Sequence, residues 1–237
     1  GVNAGNQITE GARNTCVGKV AGAAITTGNN NVIVGYNSDS SSTGGDTRLA
    51  FGVNLNNETN SLMIIGDNNY SATMNFSAAD QSWSNTSDER IKKDVRDIDM
   101  GLDFINKLRP IKYKGINPAD YPVEIRDRSF FDRTNAKGED IPALPKKELA
   151  DPDKEMVGFL AQEVKEVMDE LDVNFTAWEQ GEVHEYGETK LTDEQKAKGG
   201  MQRLKYEKFV VPLVKAVQEL SAKNEELSAK VEALENA

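Results

Sequence analysis

Ser87 and Lys92 bracket the hexapeptide Ser87-Asp88-Glu89-Arg90-Ile91-Lys92, which sets a nucleophile and a base five residues apart. A serine hydroxyl is a weak nucleophile until a base takes its proton, and a lysine does this only in its neutral form. Free lysine titrates at about 10.4. Work near neutrality therefore demands burial or neighbouring positive charge, a differential stabilisation of about 4 kcal/mol. Arg90 and Lys93 supply such charge nearby, while Asp88, Glu89 and Asp94 oppose it. Residues i and i+5 point to opposite faces of a strand and lie about 140° apart around a helix. The two side chains thus meet only across a bend or between chains. Taken alone, the same six residues also read as a solvated charged turn, so the surrounding elements carry the decision.

Composition changes at this point. Residues 1–86 hold 15 Asn, 11 of the 19 Gly, no Pro and nine charged side chains, whereas residues 87–237 hold all seven Pro and 58 of the 67 charged residues. This places a domain boundary at 86/87. Net charge is −3 before it and −8 after it, −11 in all. A chain this acidic lacks the basic footprint that nucleic-acid binding needs to displace counterions. The single Cys16 excludes an intrachain disulfide and a cysteine metal site, and reads as a small buried apolar residue. His184 has no second His or Cys to join it and reads as a surface or structural residue, so neither metal nor cofactor is expected. No apolar run approaches the ~20 residues that cross a bilayer, and the N-terminus lacks a basic region followed by an apolar core. Neither membrane insertion nor signal-directed secretion is expected.

The segment before the boundary repeats itself. Ala4/Ala21, Gly5/Gly22, Ile8/Ile25, Thr9/Thr26, Gly11/Gly28, Asn14/Asn31, Val17/Val34 and Gly18/Gly35 match at an offset of 17 residues. Leu49-Ala50-Phe51-Gly52 continues the series after Val32-Ile33-Val34-Gly35, and a degenerate copy ends at Leu62-Met63-Ile64-Ile65-Gly66. Each copy reads as a short strand and a tight turn. Glycine supplies positive φ, asparagine tolerates left-handed turns, and short β-branched runs pair with the next copy, as in a stack of β-solenoid coils. So few short copies bury little core per chain, which implies pairing with other chains. Residues 67–86 lose the repeat and are expected to add a hairpin or strand, with Trp83 packing at an interface. The competing reading is an Asn/Gly linker, which has no reason to keep regularly spaced apolar runs.

After the boundary the pattern becomes α+β. Asp97–Leu108 reads as an amphipathic helix stopped by Arg109-Pro110, and Ile111–Lys114 as a strand. Residues 115–155 hold five of the seven prolines and read as an insertion or long loop. Val157–Leu160 reads as a strand running into a helix that carries Val164, Val167, Met168 and Leu171. A hairpin is expected from Val173–Trp178 and Glu182–Tyr186, then a polar loop over 187–200. From 203 to 237 a long helix presents Leu213, Val217, Leu220, Asn224, Leu227, Val231 and Leu234 at alternating spacings of four and three, the seam of a coiled coil. Pro212 marks a kink or the helix start. Asn224 at a seam position fixes register, and Lys230 and Glu235 suit an interchain pair. The competing reading packs this helix on its own domain.

Four ordered segments then resemble a known family. They are Ser87–Val95, Leu108-Arg109-Pro110-Ile111-Lys112-Tyr113, Gly158-Phe159-Leu160-Ala161-Gln162-Glu163-Val164 and Tyr206–Leu220, and together they are similar to the C-terminal intramolecular chaperone, or peptidase S74, family. That family occurs at the ends of phage tail spikes and fibres, endosialidases among them, and in myelin regulatory transcription factors. The resemblance implies a homotrimeric chaperone that brings three shaft chains into register and then leaves by autoproteolysis. On this view residues 1–86 are a β-rich fragment of a trimeric fibre shaft and residues 87–237 the chaperone. The resemblance gives Ser87 the role of nucleophile and Lys92 that of base, with Thr86–Ser87 as the bond cut through an ester intermediate. Asp88 and Arg90 are given supporting roles in positioning the loop or contacting another subunit. It also implies two identical chains as partners, a host-cell receptor reached through the mature fibre, synthesis in the host cytoplasm and a final place for the shaft in the virion tail. The alternative is a structural adhesin or fibre tip that never cleaves, its C-terminal unit holding the trimer together.

Overall fold

The structure, a computed structural model, describes residues 1–40, 43–77, 82–186 and 189–236. Its contacts divide the chain into two compact units, Gly1–Val95 and Arg96–Ala237, so the hexapeptide is counted with the first.

The first unit is one six-stranded sheet with its strands in sequence order: β1 (Thr15–Val17), β2 (Val32–Val34), β3 (Leu49–Val53), β4 (Leu62–Asp67), β5 (Ser71–Asn75) and β6 (Trp83–Ser84). The first four run parallel and the last two antiparallel. Thr15 pairs with Val32 and Val32 with Leu49, a step of 17 residues, while Leu49 pairs with Met63 after only 14. Because a strand alternates its faces, Cys16, Ile33, Ala50 and Ile64 point together to one side. There they pack with Ile8, Ala21, Ile25 and Leu55.

Asparagine builds this unit rather than loosening it. The side-chain oxygen of Asn14 accepts from the backbone N–H and the side-chain amide of Asn31, each at 3.0 Å, and the oxygen of the buried Asn31 accepts from Arg48 N at 2.9 Å. Each copy thus satisfies the next one's buried backbone, which would otherwise cost about 1–3 kcal/mol per orphaned group. Left-handed residues recur at the same step: Asn3, Val20, Asn37 and Asn54, then Arg13, Asn30 and Thr47. Gly18, Gly35, Gly52 and Gly66 line up as well, and a Cβ on Gly35 would stand 1.5 Å from the carbonyl oxygen of Gly52. Such backbone-to-backbone approach admits glycine alone. Arg48 takes the third place in the column of Asn14 and Asn31. It donates through Nε to Asn60 Oδ1 at 2.8 Å and through Nη1 to Asn57 O at 2.9 Å.

The second unit contains α1 (Leu102–Lys107), β7 (Ile111–Lys114), β8 (Arg133–Thr134), β9 (Asp140–Ile141), β10 (Glu155–Gly158), α2 (Ala161–Glu170), β11 (Trp178–Gln180), α3 (Asp193–Ala197), β12 (Gln202–Leu204) and α4 (Val210–Glu235). Three antiparallel ribbons form, β7 with β10, β8 with β9 and β11 with β12. Phe104 of α1, Val164, Val167 and Met168 of α2, Phe175, Ala177 and Phe209 make the core. Phe175 stands edge-on to both Phe104 and Phe209, with ring centres 5.3 and 4.8 Å apart. Residues 115–155 are mostly irregular, with only the short β8–β9 ribbon and single turns before β10, as their prolines require.

Local expectations are corrected at four places. The first helix begins at Leu102, not Asp97, with Gly101 before it and Ile98 outside it. The 173–186 hairpin does not form. β11 pairs instead with β12, because Phe175 and Ala177 are drawn into the core while Gly181 N donates to Met201 O and Gly200 N to Gly181 O. Within 187–200, residues 187–188 lie outside the described residues, and the rest contains α3. Thr192 and Gln195 cap that helix reciprocally. The long helix starts two residues before Pro212, after a 3-10 turn at Tyr206–Phe209. A proline in the first turn forfeits an N–H that has no helical acceptor in any case.

Only Pro212 and Ala216 of α4 are buried. Leu213, Val217, Leu220, Leu227, Val231 and Leu234 are all exposed, and every described residue beyond Leu220 is exposed too. Lys230 pairs with Glu226 of its own helix at 2.5 Å. Among the described residues no helix is long and apolar enough to cross a membrane.

Candidate functional site

A two-residue link, Asn85-Thr86, leads from β6 to Ser87. The chain then turns sharply. Asp88 is extended, with φ −66° and ψ 137°, and caps a 3-10 turn over Glu89–Ile91. Ile91 N donates to Asp88 O at 3.3 Å and Lys92 N to Glu89 O at 3.0 Å. Lys92 is extended again, which sends its side chain back along the turn. Its Nζ donates to Ser87 Oγ at 2.8 Å. Of the two routes open to residues five apart, the bend within one chain is the one taken.

The Asp88 carboxylate organises that bend. Its Oδ1 accepts from Arg90 N at 2.9 Å and from Arg90 Nε at 2.8 Å, and its Oδ2 accepts from Arg90 Nη2 at 2.5 Å. The side-chain and backbone hydrogen bonds from Arg90 hold the Asp88 carboxyl at about 2, well below the usual carboxylate range. Arg90 is correspondingly tied to Asp88.

Ser87, Lys92 and the Thr86–Ser87 bond are all exposed in the single chain. The pair has hydrogen-bonding geometry for proton transfer in either direction. With the lysine charged, Nζ donates to the hydroxyl. With it neutral, the hydroxyl donates to Nζ over the same distance and becomes the stronger nucleophile.

The other segments that carry the family resemblance clamp one another within the second unit. Arg109 donates through Nε to Glu163 Oε2 at 3.1 Å and through Nη2 to Oε1. Phe159 N donates to Tyr206 Oη at 3.0 Å, and the Phe159 ring stacks on Tyr206 and Phe209. A Cβ on Gly158 would stand 2.4 Å from that Tyr206 oxygen, so the glycine makes room for the hydroxyl. Glu219 of α4 accepts from Leu102 N at 2.8 Å. Tyr206 and Glu219 lie in the resemblance segment Tyr206–Leu220, but sequence reasoning missed their contacts, because the partners lie 47 and 117 residues away. Cys16 is half-buried and packs beside the first core, and burial pushes its thiol up. His184 is exposed, its ring 6.0 Å from that of Tyr186, and no group among the described residues is fit to hold a metal ion.

Residues 87–173 match the family model Peptidase_S74, described as chaperone of endosialidase, which supports an intramolecular chaperone domain over that segment. The match opens at Ser87 and leaves residues 1–86 outside it. Neither a curated protein nor a solved structure matches the chain.

Proposed function

We propose, from the chaperone-of-endosialidase match over residues 87–173, that this chain assembles as a homotrimer and then cuts itself between Thr86 and Ser87. The observation that carries the reading is the 2.8 Å contact from Lys92 Nζ to Ser87 Oγ, at the first residue of the family segment. Ser87 Oγ attacks the Thr86 carbonyl carbon while Lys92 takes the hydroxyl proton. The bond from that carbon to Ser87 N breaks, and the proton passes to the departing amine. Thr86 is left esterified to Ser87 Oγ. Water hydrolyses the ester, giving a Thr86 carboxylate and a chaperone with Ser87 at its N-terminus. Each chain turns over once.

Two exposed surfaces support assembly with two identical chains. One is the α4 seam. The other is the outward face of the six-stranded sheet, where Val32, Leu49, Met63, Met74 and Trp83 align across strands beside Val17, Val34, Phe51 and Ile65. Each repeat presents the same kind of residue at the same height, so an identical chain matches it row for row. On this reading the 17-residue steps form a solenoidal trimeric shaft and α4 forms a coiled coil. Burying the hexapeptide in the trimer supplies the dry environment that Lys92 needs, which ties cleavage to assembly. Loss of the chaperone then leaves the shaft protected by its unfolding barrier. The shaft belongs, on this reading, to a phage tail fibre or spike made in the host cytoplasm, reaching its receptor through the mature fibre.

The exposure of Ser87 and Lys92 favours a second reading, in which the pair is inert and the C-terminal unit stays attached as a structural tip. Denaturing gels and intact mass separate the two. Wild type should give products of 86 and 151 residues, while Ser87→Ala and Lys92→Ala should remain at 237. A wild-type trimer that keeps its full-length chain sinks the protease assignment and leaves the chaperone.

A further inference from the structure

We infer that Asp88 is the positioning residue of the pair, its carboxylate folding residues 88–92 into the one turn that lets Lys92 reach Ser87, with Arg90 as the clamp that holds that carboxylate. The inference rests on the proposed self-cleavage. The geometric problem is the five-residue separation, which no regular element solves. The solution is a single 3-10 turn entered from an extended residue and left into another. Short 3-10 turns hold poorly alone, because one or two backbone bonds fix several torsions. This one has only Ile91 N to Asp88 O at 3.3 Å and Lys92 N to Glu89 O at 3.0 Å.

Asp88 adds what the backbone lacks. Its Oδ1 receives the Arg90 N–H, which sits inside the turn and has no backbone partner there, in the manner of a helix N-cap. The Arg90 fork then closes on both carboxylate oxygens and fixes the side-chain torsions of Asp88. The chain thereby holds the nucleophile and base within hydrogen-bond reach before any partner arrives. Assembly has only to exclude water from a contact already made. Held at about 2, the carboxyl keeps its charge at every pH where a lysine can act as base, so the cap does not itself gate the reaction.

The roles of the two oxygens make the inference testable. Asn keeps an acceptor for the Arg90 N–H but loses the charged fork, whereas Ala loses both. In the full chain, cleavage is followed by intact mass while native mass reports the trimer. Asp88→Ala should slow cleavage about tenfold, the population shift expected on losing a cap. Asp88→Asn and Arg90→Ala both keep the cap and lose the charged fork, so each should retain most of the rate, with assembly unchanged in all three. If Asp88→Ala assembles and cleaves as fast as wild type, the inference is wrong and self-cleavage stands. If Asp88→Ala fails to assemble, Arg90→Ala decides, since it leaves the cap in place: a wild-type rate there removes the clamp. If Asn proves no better than Ala, capping is refuted in favour of charge alone. A wild-type trimer that never cleaves takes the whole reading down.

Discussion

Val20 stands where the neighbouring copies place asparagine. Asn3, Asn37 and Asn54 have φ of 60°, 51° and 55°, and Val20 has 62°. A β-branched residue in the left-handed region is strained by on the order of 1–2 kcal/mol, and asparagine by less. Val20→Asn should therefore raise stability by about 1 kcal/mol, read as a higher urea midpoint in the Ser87→Ala background, which the proposed self-cleavage cannot cut. An unmoved or lower midpoint would mean that the half-buried valine gains as much from packing as it loses in strain. The residue types at the candidate site were legible in the sequence, but their contact was not. Spacing alone kept Ser87 and Lys92 apart. The signal that brings them together is local: Asp88 two residues before Arg90, a carboxylate with both an N–H and a guanidinium in reach.

At the scale of elements, the clearest periodicities survived and the long-range pairings did not. α2 buries Val164, Val167 and Met168 from the face its spacing marks, and the 17-residue offset reappears as strand register. The hairpin over 173–186 failed because β12, unforeseen and beyond Gly199-Gly200, is the partner that β11 takes. Local pattern cannot price a ribbon whose halves lie 24 residues apart, as Trp178 and Gln202 do. The start of α1 likewise depends on a distant group. Gly101 offers no side-chain cap, and Glu219 of α4 fills that place. Glu219→Ala should lower the stability of the second unit by about 0.5–1 kcal/mol, toward the small end because the carboxylate is partly in water. Glu219→Gln should recover most of that. Amide hydrogen exchange of Leu102 and Asp103 reads the effect directly, and unchanged exchange in the alanine variant would deny the cap.

For the molecule as a whole, the apolar seam residues Leu213, Val217, Leu220, Leu227, Val231 and Leu234 of α4 are all exposed. Leu227, in the part of α4 where every described residue is exposed, is itself 58% exposed. Leu227→Asp should cost the folded single chain almost nothing, yet under the proposed homotrimer shift native mass toward monomer. Under the proposed function it should depress cleavage in step. A variant that stays trimeric would move the assembly contact from the helix to the sheet face. The stacked register carries one more consequence, for how such a segment changes over generations. Because each copy from β1 to β3 hands its hydrogen bonds and left-handed corners to the residue 17 places on, an insertion of 17 residues there reproduces every partner, whereas another length must be absorbed by rebuilding the turns, as the 14-residue step from β3 to β4 is. Across β1–β3 the simplest change of length is therefore by whole copies, each worth one strand spacing of about 4.8 Å.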